Sequence, residues 1–252
     1  MAKEKADVVV SWYFENAETQ ALRDRFTRPT RFLQMAAGPG TKYDTQLLDY
    51  GKTSIQNLLR AKLPNVEPQR VAVMGFSEGC RGVREALKCG DAGRLDAVFG
   101  IDGIHTQWVK PRETFETGLL LPWRAIAKKA VNGGPLVVIT TSDVQPTYTD
   151  TTTTSNWIWE QATGTNEIFF DLEIPSWLMG PVEPPYTSSP GSFGPGQQSW
   201  KETVYTQYPL RVFRKSGGLW ISNYYDLDPT GVGDHRFQAA RVSPLHYLHV
   251  LI

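Results

Sequence analysis

The chain has 252 residues, with 26 lysines and arginines against 26 aspartates and glutamates, so its formal net charge is zero. A balance of that kind gives no basic field to draw nucleic acid or an acidic membrane surface, and a small or neutral substrate suits it better. The length fits one well-buried domain, 1–252.

Residues 1–7 mix charges and run directly into a strand, without the apolar stretch and small-residue cleavage site of a secretory leader, so a cytoplasmic location is expected. The longest apolar runs are strand-length, and none is expected to span a bilayer. Residues 7–13 open with Val8, Val9 and Val10, a β-branched run of the kind found in strands buried on both faces. A weaker strand is read at 31–35, before the turn-rich Gly38-Pro39-Gly40. Residues 53–62 read as a helix, because Ile55, Leu58 and Leu59 share one face and Pro64 signals the end.

Residues 71–80, Val-Ala-Val-Met-Gly-Phe-Ser-Glu-Gly-Cys, are the most informative stretch. An apolar strand enters a Gly-Phe-Ser-Glu-Gly turn, and a helical pattern with Val83, Ala86 and Leu87 on one face follows. Gly75 and Gly79 lack the Cβ atoms that would collide where strand and helix approach, so Ser77 can occupy a strained position with its hydroxyl exposed at the carboxyl edge of a sheet. Cys80 and Cys89 fall on the same expected helix, about nine residues apart, or roughly 13 Å at 1.5 Å per residue, which is beyond disulfide reach. Free thiols in a reducing compartment are the expectation.

Residues 97–101 form another short strand, which stops at Asp102-Gly103-Ile104-His105 and so carries a carboxylate to the edge where parallel sheets place ligands. The stretch from Phe115 to Ala130 is expected to cover the sheet as helix or loop, with Pro122 breaking any single continuous helix. Residues 136–141 give a strand that ends at Ser142-Asp143, a second carboxylate at that edge. The Thr-rich 151–154 stretch is expected to cap a helix carrying Trp157, Ile158 and Ala162. Residues 164–209 are irregular and rich in Pro and Gly, with Trp177, Tyr186, Phe193, Trp200 and Tyr205 interleaved, and are read as a lid or binding wall. Residues 210–214 and 219–225 flank Lys215-Ser216-Gly217-Gly218 and read as a hairpin at the sheet edge. A glycine-rich loop, 231–235, then carries His235, followed by a short terminal helix with His246 and His249.

The 71–80 segment resembles the nucleophile elbow of the α/β-hydrolase superfamily, and the order of elements is similar to that family from about Asp7 onward. The resemblance implies an α/β fold, a mostly parallel sheet flanked by helices, and a Ser, acid, His triad in which Ser77 is the nucleophile. By chain order His235 is the base, with His105 as its rival and as a candidate lining residue. Asp102 and Asp143 are alternatives for the acid, with Asp226, Asp228 and Asp234 as outsiders. The Ile-Asp-Gly-Ile-His run and the later Thr-Ser-Asp-Val also resemble a hydrolase-like group of bacterial proteins, which favours Asp102. The resemblance further implies an oxyanion hole made by the N–H groups of Glu78 and, in the loop after the first strand, Phe14. That loop has Trp12-Tyr13-Phe14-Glu15 where the family usually has a His-Gly pair. Trp12, Tyr13 and Trp177 are the remaining substrate-binding candidates. Metal-ligand spacings such as CxxC or HExxH are absent from the sequence, and neither metal nor organic cofactor is expected. The expected activity is cleavage of an ester or related acyl bond, in a small molecule or a polymer. The same triad would serve an acyltransferase, a peptidase or a polymer deacetylase, and a catalytically inactive binding module is the reading from outside the enzymes.

Overall fold

The computed structural model describes residues 3–12, 28–35, 42–47, 54–142, 147–165 and 210–224. Its centre is a seven-stranded sheet in the order β2-β1-β3-β4-β7-β9-β8. These strands are β1 (Glu4–Trp12), β2 (Thr30–Gln34), β3 (Val66–Phe76), β4 (Ala97–Ile101), β7 (Leu136–Thr141), β8 (Leu210–Ser216) and β9 (Leu219–Tyr224). Every neighbouring pair is parallel except β8 with β9, which form the expected hairpin with β8 at the edge. A small separate hairpin joins β5 (Trp108–Lys110) to β6 (Thr114–Phe115), an element the sequence reading did not anticipate.

Register explains why the strands are continuous apolar runs. Val10 lies beside Val73, Val73 beside Val98, Val98 beside Val137 and Val137 beside Leu219, making one fully buried row. The alternate row, Met74, Phe99, Val138 and Trp220, faces the opposite side and is also buried. A strand buried on both faces has no solvated positions to alternate with, so its sequence loses the period of two. Each such side chain contributes roughly 1.5–3 kcal/mol by leaving water.

The helices are α1 (Tyr43–Gln46), α2 (Ile55–Lys62), α3 (Cys80–Leu87), α4 (Leu121–Val131) and α5 (Thr151–Thr163). Ile55 and Leu58 of α2, Val83 and Ala86 of α3, Ile126 and Ala130 of α4, and Ile158 and Trp159 of α5 share one cluster with Val10, Val73 and Val98. The described helices therefore pack on one face of the sheet. Chain direction accounts for it: from β2 onward each crossover to β3, β4, β7 and β9 moves the same way across the sheet, and right-handed crossovers then place their helices on one side.

Two expectations are corrected in detail. Pro122 does not interrupt a helix but sits in the first turn of α4, where its missing N–H has no intrahelical partner to lose. Cys89 does not share a helix with Cys80, since α3 ends at Leu87; both thiols are nonetheless free. No helix among the described residues is long and apolar enough to cross a membrane.

Candidate functional site

In a sheet of this order the chain leaves β1 toward β2 on one side and returns to β3 on the other, so β1 and β3 are neighbours whose connections diverge. Helices cannot fill the crevice beyond the carboxyl ends of two such strands, and open α/β sheets bind ligands there. Ser77 stands at the carboxyl end of β3, with Trp12 at that of β1.

The backbone at Ser77 is left-handed, with φ at 52°. A serine held there is strained by about 1–3 kcal/mol, and such strain gathers at functional sites. Residues Ser77–Gly79 form one 3₁₀ turn leading into α3, and Ser77 itself is half-buried. The turn is tight because Gly79 lies against β1: a Cβ there would come 1.9 Å from the Trp12 carbonyl oxygen. Glu78 is exposed, and its N–H belongs to the first turn, whose amides have no partner within the helix.

The end of β4 meets the same turn. Asp102 also has a positive φ, 42°, and a Cβ on Gly103 would fall 1.9 Å from the Ser77 carbonyl oxygen. The Asp102 carboxylate is 1% exposed. Its Oδ1 accepts from the Ser142 N–H at 2.8 Å and the Thr151 hydroxyl at 2.5 Å, and its Oδ2 from the Ser142 hydroxyl at 2.5 Å. These three donors, one on the backbone and two on side-chain hydroxyls, fix its orientation.

The threonine-rich segment supplies this bracing. The helix cap itself is Asp150, whose carboxylate accepts from the Thr153 N–H at 2.6 Å, so the expectation that the threonines cap α5 is corrected. Thr151 reaches Asp102, Thr154 donates to the Ile104 carbonyl at 2.5 Å, and Thr149 exchanges hydrogen bonds with Thr106 through its hydroxyl and its N–H. Side-chain hydroxyls thus tie the loop after β4 to the start of α5.

His105 lies on this loop. Its Nδ1 is 2.9 Å from the Thr149 carbonyl oxygen, which can only accept, so Nδ1 carries a proton and in the neutral ring Nε2 is the acceptor. The ring meets Tyr148 edge to face, with centroids 4.6 Å apart. The Tyr148 phenol is held above its ordinary pKa, first by burial and then by the negative charges of Glu78 and Asp102. Tyr148 was not among the candidates read from the sequence. Its place against His105 depends on contacts between segments about 45 residues apart, although the hydroxyl-rich Thr-Tyr-Thr-Asp before a helix was a visible sign of bracing.

Trp12 is 1% exposed, its indole N–H donates to the Gln46 side chain at 2.9 Å, and its ring lies against Gly82. That position makes it a support for the Ser77 turn and not a wall of a pocket. Cys80 lies just beneath the turn, its thiol donating to the Gly75 carbonyl, and burial pushes its pKa far up, so it is no rival nucleophile. Tyr13, Phe14, Asp143, Trp177, Asp226, Asp228, Asp234, His235, His246 and His249, with nearly all of 164–209, lie outside the described residues. Among the described residues no group of three or more His, Cys, Asp or Glu side chains could hold a metal ion.

Fold and geometry define an α/β protein with a mostly parallel sheet and a strained serine at its carboxyl edge. Comparison with known protein families, with curated proteins and with solved structures finds no match to the chain.

Proposed function

We propose that the chain is a serine hydrolase of the α/β-hydrolase type, cleaving a carboxylic ester or related acyl bond. The observation that carries this reading is the left-handed Ser77 at the carboxyl end of β3, in the crevice between β1 and β3. A serine hydroxyl is a weak nucleophile until a positioned base takes its proton. In this reading His235 is that base, Asp102 holds its ring and steadies the imidazolium, and Asp143 is the alternative acid. Ser77 Oγ bonds to the acyl carbon, the carbonyl oxygen becomes an oxyanion held by the N–H groups of Glu78 and Phe14, and the C–O bond to the alcohol breaks as the histidine returns the proton. Water, activated by the same histidine, then releases the acid from Ser77. The helix that begins beside Ser77 adds the positive end of its dipole to the oxyanion.

The test is labelling by a fluorophosphonate together with turnover of p-nitrophenyl esters. Ser77→Ala should abolish labelling and lower turnover by about 10⁴-fold or more, with the melting temperature little changed. Full retention of activity in that variant sinks the assignment.

A second reading, a hydrolase-like fold that binds without turnover, draws on Asp102, whose three described donors are all parts of its own scaffold. An unlabelled Ser77 in a protein that still binds acyl compounds would select it.

A further inference from the structure

Beside the Ser77 turn stands an aromatic wall that the triad does not use. Tyr148 is 37% exposed although its neighbours Thr149 and Thr151 are buried, so a large ring is held at the surface and not tucked into the core. It is also held rigidly. Thr149 is locked to Thr106 by three hydrogen bonds, and His105 braces the ring edge to face while its Nδ1 is anchored on the Thr149 carbonyl. A fixed, half-exposed aromatic ring packed on the loop that meets the Ser77 turn has the form of a recognition surface.

Among the described residues, the charges that act on it have one sign. Glu78, next to Ser77 in the chain, and Asp102 both act on the Tyr148 hydroxyl. The nearest described cation on the helix that follows, Arg81, instead lies over the Tyr43 ring at 5.9 Å, and Arg84 pairs with Glu85 at 2.9 Å. The side of the crevice follows from the mechanism. In the proposed mechanism the histidine hands its proton to the departing alcohol, so the alcohol half leaves on the side of Ser77 where Asp102 stands, and Tyr148 packs on His105, three residues beyond Asp102.

On these grounds, and resting on the nucleophile reading above, we infer that Tyr148, braced by His105 and flanked by Glu78, binds the alcohol half of the ester and selects neutral or cationic leaving groups over anionic ones. An aromatic face attracts a cation through its quadrupole, and a carboxylate at its border adds to the attraction and repels an anion.

The experiment compares kcat/KM for three phenyl acetates matched in size, bearing a meta-trimethylammonio, meta-tert-butyl or meta-sulfonato group. The native protein should prefer the cationic to the anionic ester, and the preference should shrink as salt is added. Glu78→Gln should lower the cationic-to-anionic ratio by about fivefold, and Tyr148→Leu by about two- to fivefold. Tyr148→Phe, which keeps the ring, should leave the ratio near the native value. Melting temperatures and hydrolysis of the neutral ester separate these effects from damage to the fold. A ratio that stays the same in both Glu78→Gln and Tyr148→Leu while Ser77 is still labelled overturns the wall and leaves the nucleophile standing. A native preference for the sulfonate does the same. Failure of the native protein to label at all overturns the nucleophile reading, and the wall with it.

Discussion

Ser77, Gly79 and Gly103 show how few atoms decide the shape of the site. Gly79 was legible in the sequence, because a glycine two residues after a serine in a strand-to-helix turn announces a close approach. Gly103 was not, because its contact with Ser77 joins the ends of two strands and has no signature within either. A methyl group on Gly103 would meet the Ser77 carbonyl oxygen at 1.9 Å, and a backbone oxygen in a strained turn cannot swing aside as a flexible side chain can. Gly103→Ala should therefore destabilise the fold by about 1–3 kcal/mol, the usual range for forced overpacking. By displacing the turn it should also slow fluorophosphonate labelling of Ser77 by about 10²-fold, since a shift of about 1 Å at a reacting group can cost that much. Gly93→Ala is the matched control: its Cβ would meet only the Lys129 ammonium, at 3.3 Å, so labelling should not change. Equal labelling rates in the two variants would show that the contact of the β4 loop does not shape the nucleophile.

At the scale of single elements, the helix α2 shows what local pattern reveals and what it hides. Its start, read at 53, falls at Ile55 behind the Ser54 cap, and its apolar face was readable from the spacing of Ile55, Leu58 and Leu59. The partner that completes the start was not, being distant in the chain. The Asp91 carboxylate accepts from the N–H of Ile55 at 2.8 Å, the N–H of Gln56 at 2.9 Å and the Ser54 hydroxyl at 2.9 Å, while Ser54 Oγ accepts from the Asn57 N–H at 3.2 Å. Burial alone would raise the Asp91 pKa, but the hydrogen bonds from Gln56, Ile55 and Ser54 outweigh it and hold the carboxyl below its ordinary value of 3.8. A depressed carboxylate pKa stabilises the fold above the unfolded value, and that contribution is lost as pH falls through the folded one. Asp91→Ala should cost about 0.5–2 kcal/mol at neutral pH, the worth of a helix cap, and the difference between native and variant proteins in urea titrations should shrink as pH is taken well below 3.8. A difference that stays constant down to that pH would mean that the carboxylate charge is not what holds the helix.

At the scale of the whole molecule, strands were legible where they are buried on both faces, because those parts of β1, β3, β4 and β7 read as apolar runs, whereas the mostly polar, unburied residues 66–70 at the start of β3 were not read. The order of those strands was not, since pairing is decided by crossovers and not by any one segment. The sheet that results buries Cys80 under its centre, at 2% exposure, while Cys89 lies beyond the end of α3. Burial, and then the charges of Asp91 and Glu85, push the Cys89 thiol up to about 11, and burial lifts Cys80 higher. The thiolate is the reactive form, so at about pH 8 both should resist a disulfide reagent in the native state. Cys80 can be reached only by opening the sheet, and its modification rate should rise with urea as steeply as global unfolding does. Cys89 needs only the end of α3 to fray, and its rate should depend less on urea. The same shifts set an alkaline limit on stability. A thiol whose pKa is higher in the folded state than its ordinary 9.0 contributes stability that is fully present below pH 9 and lost as pH rises, for Cys89 through about 11. Unfolding free energy should therefore decline from about pH 9 upward, and the decline should be shallower in Cys89→Ala. Equal urea dependence of the two cysteines would show that the end of α3 opens only with the sheet, and an unchanged slope in Cys89→Ala would place the alkaline limit elsewhere.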